Sequence, residues 1–154
     1  MTVQTIAPVQ KAITVNVPQR QAFEVFTSRM GSWWNPAHHI ADEPFVDIVV
    51  EPRGGGSWHE VDAAGRSCPW GVVLAWEPPS HVIFGWHLDA EWEYDADLTT
   101  EVEVRFVEVD PTTTRVELEH RNLDCLGDRA AETRTVLDGA GGWAGLLGLF
   151  ANVA

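Results

Sequence analysis

The central part of the chain alternates hydrophobic and polar positions, a pattern typical of β-strands with one buried face. The alternation is clearest in LTTEVEVRFVEV, residues 98–109, and in TRVELEH, residues 114–120. Apolar side chains take one face of both segments, and glutamate and arginine take the other. Four more strands are predicted upstream, in FVDIVVEP, SWHEV and the two halves of WGVVLAWEPPSHVIFGWHL. The pattern therefore predicts an antiparallel sheet with one wet face.

The residues before this sheet combine a strand with a helical pattern. KAITVNV, residues 11–17, is rich in β-branched residues and predicts a first strand that ends at Pro18. Apolar residues recur at helical spacing over residues 18–30, and Gly31 is predicted to end that helix. A second, short turn then carries Trp33 and Trp34 and ends before the next proline, because the residue before a proline is disfavoured in a helix.

A long apolar helix is predicted near the end of the sequence. Asp128 is a favourable N-cap residue, and the helix should run from about Arg129 toward Phe150. The GAGG run at residues 139–142 weakens that helix by roughly 1 kcal/mol per glycine, so it either bends there or approaches the sheet closely. One apolar stripe of the helix consists of Val136, Trp143, Leu147 and Phe150.

The order of these elements predicts an α+β fold. It comprises a strand, two short helices, a meander of about six strands and a long C-terminal helix. A curved antiparallel sheet of about six or seven strands wrapped around the helix, called a helix-grip, buries both apolar surfaces against each other. Residues 1–154 have the size of one ordinary domain, so a single helix-grip domain is predicted.

Charge and composition narrow the classes of partner. The chain has 23 acidic and 10 basic residues, a net charge of −13. Such a field repels nucleic-acid backbones and anionic membrane surfaces, and the bases are scattered singly, so neither partner is expected. The apolar tract at residues 139–154 is also shorter than the roughly 20 residues that span a bilayer. Two cysteines without zinc-site spacing, and no secretion-signal pattern, favour a cytoplasmic location.

Four segments of the chain carry a family resemblance over about residues 10–151. They are VPQRQAFEVFTSRMGSWW, GGGSWHEVDAAGRSCPWGVVLAWEPP, VELEHRNLDCLGDRAAE and DGAGGWAGLLGLF. In this order they resemble the SRPBCC (START-like, birch-pollen-allergen-like) superfamily, in its branch related to the activator of the 90-kDa heat-shock protein ATPase. The resemblance implies a small ligand-pocket protein with a cavity, often hydrophobic, between sheet and helix. Where such sequences commonly show HRGW, residues 120–123 read HRNL, so one aromatic is missing at the mouth of the last loop.

Strand alternation predicts which side chains face that cavity, since every second residue points to the same side. The predicted ligand-binding residues are Trp33, Trp34, His38, Trp58, Glu60, Trp70, Trp76, Phe84, Trp86, Val104, Phe106, Leu118, His120 and Trp143. Eight tryptophans either fill a core or wall a cavity, and several buried indoles together favour the cavity. In the segment GSWWNPAHHI, one histidine and one tryptophan form the cavity rim, or the tryptophans only staple the short helix to the sheet.

Glu60 and His120 are the polar residues predicted to face inward, and two interpretations remain open for them. They could act as general acid and base, since an imidazole titrates near neutral pH and a carboxylate can orient it. They could also be structural, with His120 bonded to a tryptophan N–H and Glu60 reaching water at the sheet end. Adjacent His38 and His39 are not spaced as zinc ligands, so no metal and no cofactor is predicted.

Three functions are consistent with the sequence. The favoured one is a binding protein, monomeric or homodimeric, that holds a small apolar or aromatic molecule in the tryptophan-lined cavity. The second is a cyclase, dehydratase or hydrolase acting on a polyketide-like or aromatic substrate, with His120 and Glu60 as its acid and base. The third is a co-chaperone-like module that binds another protein, which rests on analogy of fold alone.

Overall fold

A seven-stranded antiparallel sheet and four α-helices form the fold in the computed structural model, which describes residues 6–154. The strands are β1 (Val9–Val15), β2 (Phe45–Val50), β3 (Ser57–Asp62), β4 (Ser67–Glu77), β5 (His81–Trp86), β6 (Thr100–Asp110) and β7 (Thr113–Arg121). The helices are α1 (Gln19–Thr27), α2 (Met30–Trp33), α3 (Ala130–Asp138) and α4 (Trp143–Val153), and a 3-10 helix, Leu123–Arg129, precedes α3. The predicted α+β helix-grip is confirmed.

The sheet has the strand order β1-β7-β6-β5-β4-β3-β2, and each neighbouring pair is antiparallel. Strands β2 to β7 follow one another as a meander, and β1 pairs with β7 so that Val9 lies opposite His120. The two edges of the sheet are therefore β1 and β2. Helices α1 and α2 carry the chain from one edge to the other, and α4 packs against β1 and α2.

The core lies between the sheet and helices α1, α2 and α4. Phe26 of α1 is central to it, with its ring centroid 5.7 Å from Phe106 of β6 and 5.3 Å from Phe150 of α4. Trp33 of α2 packs 5.6 Å from Phe150 as well. All four side chains are at most 3% exposed. This part of the molecule is filled with aromatic side chains at the distances that favour edge contacts.

The prediction that Gly31 ends the first helix is wrong. Helix α1 ends at Thr27, and Gly31 lies inside α2. A Cβ atom at Gly31 would lie 2.7 Å from the backbone nitrogen of Ile48 in β2. Glycine is needed here because α2 and β2 approach each other more closely than a side chain permits.

The predicted C-terminal helix is two helices. A break at residues 139–142 separates α3 from α4, and Asp128 is not the N-cap, since α3 continues from the 3-10 helix without a side-chain cap. Trp143, Leu147 and Phe150 are buried as predicted, but Val136 is 49% exposed, because the break ends the helical register that linked them. By length and composition alone, the region Leu123–Val153 would also qualify as a membrane span. The break and the burial of α4 residues in the core are typical of a helix in a domain interior.

Side chains of β4 do not alternate strictly between the two faces of the sheet. Strict alternation would place Leu74 on the same side as Trp70 and Trp76. The pairing of β4 shifts register twice, against β3 near Trp58 and against β5 between Val73 and Ala75. As a result Val73 is fully buried and Leu74 is 45% exposed. An extra residue in one strand of a pair reverses the faces beyond it, and the alternation in the sequence does not show where this happens.

Candidate ligand-binding site

A cavity of about 310 Å³ lies where the sheet, the start of α4 and two loops meet. Five tryptophans line it, and each comes from a different element: Trp34 after α2, Trp70 on β4, Trp86 at the end of β5, Trp92 in the β5–β6 loop and Trp143 at the start of α4. The loop after α2 contributes residues 37–40, and the α3–α4 break contributes two glycines. The volume is at the lower end of the range for small-molecule sites, about 300–1,000 Å³.

The tryptophans of the wall support one another by edge-to-face and tilted contacts. The ring centroid of Trp34 lies 5.0 Å from that of Trp70 and 5.9 Å from that of Trp143. Trp86 lies 5.9 Å from Trp143 and 6.5 Å from Trp92. Contacts of this kind contribute roughly 0.5–1.5 kcal/mol per pair beyond burial of area. Each indole of the wall is therefore held in place by at least one other.

Trp92 closes the outer side of the cavity and differs from the other four tryptophans. It is 39% exposed, and its backbone has φ 63°, a conformation that bulky side chains rarely adopt. The surrounding loop holds it there, since the Asp89 carboxylate accepts hydrogen bonds from the backbone N–H groups of Glu91 and Glu93. Strained backbone is common at ligand clamps. The position of Trp92 over Trp86 fits such a role.

Glu60 does not line the cavity but fixes two parts of its wall. Its side chain is fully buried, and Oε1 accepts hydrogen bonds from the backbone N–H of Ile40 at 2.6 Å and from the indole N–H of Trp70 at 2.8 Å. The second oxygen accepts a longer bond, 3.4 Å, from the N–H of Ala41. A buried carboxylate is tolerated when donors of this kind surround it. Glu60 therefore attaches the loop after α2 to the wall tryptophan on β4.

His120 holds the indole of Trp143 in place by a hydrogen bond, as Glu60 does for Trp70. The ring is fully buried, and Nδ1 accepts a hydrogen bond from the indole N–H of Trp143 at 3.0 Å. The proton of the neutral ring is then on Nε2, which lies 2.8 Å from the Thr100 hydroxyl and donates to it. Burial lowers the pKa of His120 from 6.5 to about 3. The imidazole is therefore neutral at physiological pH, with both nitrogens engaged, and is not an available general acid.

The geometry supports the structural interpretation of Glu60 and His120. Each is bonded to a tryptophan of the cavity wall, and neither borders the cavity. The alternative, that they act as the acid and base of a reaction in this cavity, gains no support from these positions. Both act as positioning residues, because indole N–H groups in a dry interior require acceptors.

Five of the predicted ligand-binding residues border the cavity: Trp34, His38, Trp70, Trp86 and Trp143. The remaining nine lie behind the wall or elsewhere in the core: Trp33, Trp58, Glu60, Trp76, Phe84, Val104, Phe106, Leu118 and His120. The reason is close packing, shown by Trp58, whose ring lies 4.5 Å from Phe84 and whose N–H donates to the sulfur of Met30 at 3.3 Å. Facing the interior and facing the cavity are therefore different properties.

The two tryptophans of GSWWNPAHHI occupy different positions, one at the cavity and one in the core. Trp34 borders the cavity, with its N–H donating to the carbonyl of His38 at 2.9 Å, whereas Trp33 donates to the carbonyl of Val25 and belongs to the core. Both histidines border the cavity, and His38 is exposed at its rim. Nδ1 of His39 is fully buried and has no hydrogen-bond partner within residues 6–154.

Sequence reasoning missed several residues of the cavity wall. Trp92 lies in an acidic segment, residues 89–97, whose composition is typical of a solvated loop. The wall residues Leu88, Val136, Leu137 and Leu146 come from the β5–β6 loop and from helices α3 and α4. The one signal for Trp92 in the sequence is that a tryptophan is uncommon in such an acidic segment.

One group of side chains in residues 6–154 has the geometry to share a cation, namely Asp89, Glu91 and Glu93 in the β5–β6 loop. Glu91 and Glu93 are exposed, and Glu91 forms an ion pair of 3.0 Å with Arg129. His38 and His39 are not part of this group. Exposed carboxylates of one loop are common without a cation, and the loop is explained by its own hydrogen bonds.

Comparisons with known proteins relate the whole chain to solved structures. An anthrahydroquino-gamma-pyrone synthase is 37% identical, with a TM-score of 0.68, over 97% of this chain and 98% of that one. The self-sacrificing resistance protein CalC from Micromonospora echinospora is 26% identical, with a TM-score of 0.72, over 96% of this chain and 93% of that one. No curated protein matches the chain.

A third solved structure shares the fold, and a family model matches most of the chain. An Hsp90 activator from Plasmodium falciparum is 17% identical, with a TM-score of 0.52, over 76% of this chain and 74% of that one, which shows a shared fold alone. The model of the family described as "Activator of Hsp90 ATPase homolog 1-like protein" matches residues 16–153. The superfamily branch predicted from the sequence is thereby confirmed, and the chain belongs to the family of activator of Hsp90 ATPase homolog 1-like proteins.

Proposed function

We propose that this protein binds a flat, fused-ring aromatic small molecule in the tryptophan-walled cavity. The observation that carries the proposal is the cavity itself, which has a volume of about 310 Å³ and is lined by five indoles from five separate elements. Indole rings offer flat apolar surfaces, which suit a flat aromatic ligand better than a flexible chain. The polar side chains next to the wall, Glu60 and His120, keep two of these indoles in place.

The relatives support the same ligand class. The synthase that is 37% identical over nearly the full chain is named for an anthrahydroquinone fused with a pyrone, which is a flat aromatic ring system. Identity at this level over 97% of the chain favours a second candidate function, a synthase-type reaction on such a molecule. That reaction would use groups that border the cavity, so Glu60 and His120 are not assigned to it.

Partner and location are part of this proposal. A cytoplasmic protein, monomeric or homodimeric, is consistent with the sequence, and a solved relative in the family is described as a dimer. Binding to a chaperone ranks last, because the Hsp90 activator in the comparison is 17% identical, a likeness that shows a shared fold alone.

Titration with 9,10-anthraquinone, followed by quenching of tryptophan fluorescence and by calorimetry, tests the proposal. We expect saturable binding of one molecule per chain. Ala37→Trp adds bulk at an exposed position of the cavity rim and should weaken binding at least tenfold without disturbing the core. Trp76→Phe, which changes a tryptophan outside the cavity, is the matched control and should bind as the wild type does.

Two results would overturn the proposal. One is the absence of binding to the folded protein for anthraquinone and for a panel of fused-ring aromatic compounds. The other is equal affinity of the wild type and Ala37→Trp, which would place the bound molecule outside the cavity.

A further inference from the structure

The β5–β6 loop has a compact tip, residues 89–93, which carries the wall residue Trp92 and is called the lid below. The backbone N–H of Asp89 donates to the carbonyl of Glu93 at 2.9 Å, and the N–H of Trp92 donates to the carbonyl of Asp89 at 3.0 Å. The Asp89 carboxylate adds two further bonds inside the tip. The lid therefore keeps its shape by contacts within itself.

Two side-chain contacts of different kinds tie the lid to the rest of the fold. The Trp92 ring packs against Trp86 at 6.5 Å between centroids. On the next residue along the lid, the Glu91 carboxylate accepts a hydrogen bond from Arg129 at 3.0 Å. Arg129 also donates to Glu132 of α3 at 2.9 Å, which fixes the guanidinium at the start of that helix. The ion pair of Glu91 and Arg129 therefore joins the lid to the start of α3.

The lid and α3 form two sides of the cavity mouth. The residues that both border the cavity and are exposed to solvent mark this mouth, and they are Ala37, His38, Trp92, Val136 and Gly141. Trp92 belongs to the lid, and Val136 belongs to α3. Movement of the lid away from α3 would widen the mouth and would break the ion pair of Glu91 and Arg129.

The strength of this ion pair suits a contact that breaks and re-forms. The side chains of Arg129 and Glu91 are 45% and 64% exposed, respectively. Exposed ion pairs are screened by water and salt, and they shift an equilibrium by about two- to fivefold. The pair therefore favours the closed lid without preventing its opening.

We propose that residues 89–93 open to admit and release the ligand, and that the ion pair of Glu91 and Arg129 is the latch of this lid. The inference rests on the proposed function, because it describes how a ligand reaches the same cavity. The lid is closed in the ligand-free protein, so opening precedes both entry and exit. Loss of the latch should therefore raise both rate constants by the same factor and leave the affinity unchanged. Loss of a contact with the ligand would instead raise the dissociation rate and weaken binding.

Stopped-flow mixing with 9,10-anthraquinone, followed by quenching of tryptophan fluorescence, measures both rate constants. Arg129→Gln and Glu91→Gln should each raise them about two- to fivefold at an unchanged Kd. The double variant should be no faster than either single variant, because both substitutions remove the same ion pair. Glu132→Gln is the matched control, since it removes the other partner of Arg129 and leaves the latch intact.

Salt provides a second test of the latch. Because 9,10-anthraquinone is uncharged, salt does not act on its approach to the protein. Raising NaCl from about 0.05 M to about 0.5 M screens the ion pair and should bring both rate constants of the wild type toward those of Arg129→Gln. The rate constants of the variant should change less, since its latch is already absent.

The lid is also observable without a ligand. In protein labelled with 5-fluorotryptophan, Trp92→Phe assigns the 19F resonance of Trp92. Relaxation dispersion of this resonance then measures the population of the open lid. We expect Arg129→Gln to raise that population about two- to fivefold and Glu132→Gln to leave it unchanged.

The outcomes separate this inference from the proposed function. Equal relaxation dispersion of the Trp92 resonance in the wild type and Arg129→Gln, or none in either, would overturn the inference. A rise of the dissociation rate alone would also overturn it, because the ion pair would then stabilise only the bound state. Absence of anthraquinone binding would overturn the proposed function, and the relaxation dispersion of the ligand-free protein would still decide whether the lid opens.

Discussion

The pH dependence of folding stability tests whether His120 is the neutral, buried brace of Trp143 that the structure shows. Burial lowers the pKa of His120 from 6.5 to about 3. Because the folded pKa lies below the unfolded one, the unfolded chain holds a proton on this ring that the folded chain does not hold between these two pH values. The stability that neutral His120 contributes is complete above pH 6.5 and is lost as the pH falls through this window.

The size of the effect follows from the two pKa values. Within the window the free energy of unfolding falls by about 1.4 kcal/mol per pH unit through this residue alone, which gives roughly 3 kcal/mol between pH 7 and pH 4.5. Hydrogen bonds from Gln10 and Arg121 lower the pKa of Glu119, so its contribution is lost below the usual range of a glutamate. The contribution of His120 itself is isolated by comparing the wild type with a variant that lacks this histidine.

Urea unfolding at several pH values, for the wild type and His120→Gln, provides the measurement. Glutamine does not titrate, so the difference in unfolding free energy between the two proteins should change by roughly 3 kcal/mol from pH 7 to pH 4.5. Thr100→Val keeps the imidazole but removes the partner of Nε2, and should lower stability by about 1–3 kcal/mol at every pH. Parallel pH profiles for His120→Gln and the wild type would show that His120 does not fold as a neutral, buried ring.

Three further changes test other contacts of the site. Glu60→Leu leaves two buried donors unpaired and should lower the unfolding free energy by about 2–5 kcal/mol, whereas Glu60→Gln keeps an acceptor at Oε1 and should lower it by less than about 1 kcal/mol, measured by urea unfolding. Trp92→Asn suits the left-handed backbone better, so the melting temperature should hold or rise while affinity for 9,10-anthraquinone falls about tenfold. Gly142→Ala would place Cβ 2.5 Å from Val136 O and should destabilise by about 1–3 kcal/mol, whereas Gly141→Ala meets no atom within 4 Å and should be neutral in thermal unfolding. Equal effects of the paired substitutions at Glu60, or at the two glycines, would contradict these assignments.

Periodicity and family motifs predict the helix-grip because they depend on the average behaviour of many residues. The seven strands and the buried faces of β6 and β7 need no knowledge of any single contact. Local departures were not predictable in this way. The register shift near Val73 is set by how neighbouring strands meet, and Trp92 enters the wall through a loop whose composition is that of a solvated segment. The GAGG run indicates a weak point in the C-terminal helix, but not that one helix ends there and another begins.

The same limit explains why alternation leaves two interpretations open for Glu60 and His120. Alternation correctly identified Glu60 and His120 as buried polar residues, and buried polar residues are often functional. In a core with many indoles, however, each N–H requires an acceptor, and these two side chains provide it for Trp70 and Trp143.

Hydrogen bonds already made inside the protein are thus evidence against direct contact with a ligand. The polar groups that border the cavity without a hydrogen bond inside residues 6–154 are the better guide, and they include the indole N–H groups of Trp86 and Trp92. Neither residue is unusual in sequence, since each is one of eight tryptophans. What distinguishes them is that both border the cavity without a hydrogen-bond partner in the described part of the chain, which depends on the positions of every neighbouring donor and acceptor. The polar contacts of a ligand in this cavity therefore depend on which hydrogen-bond donors and acceptors of the wall have no partner in the rest of the fold.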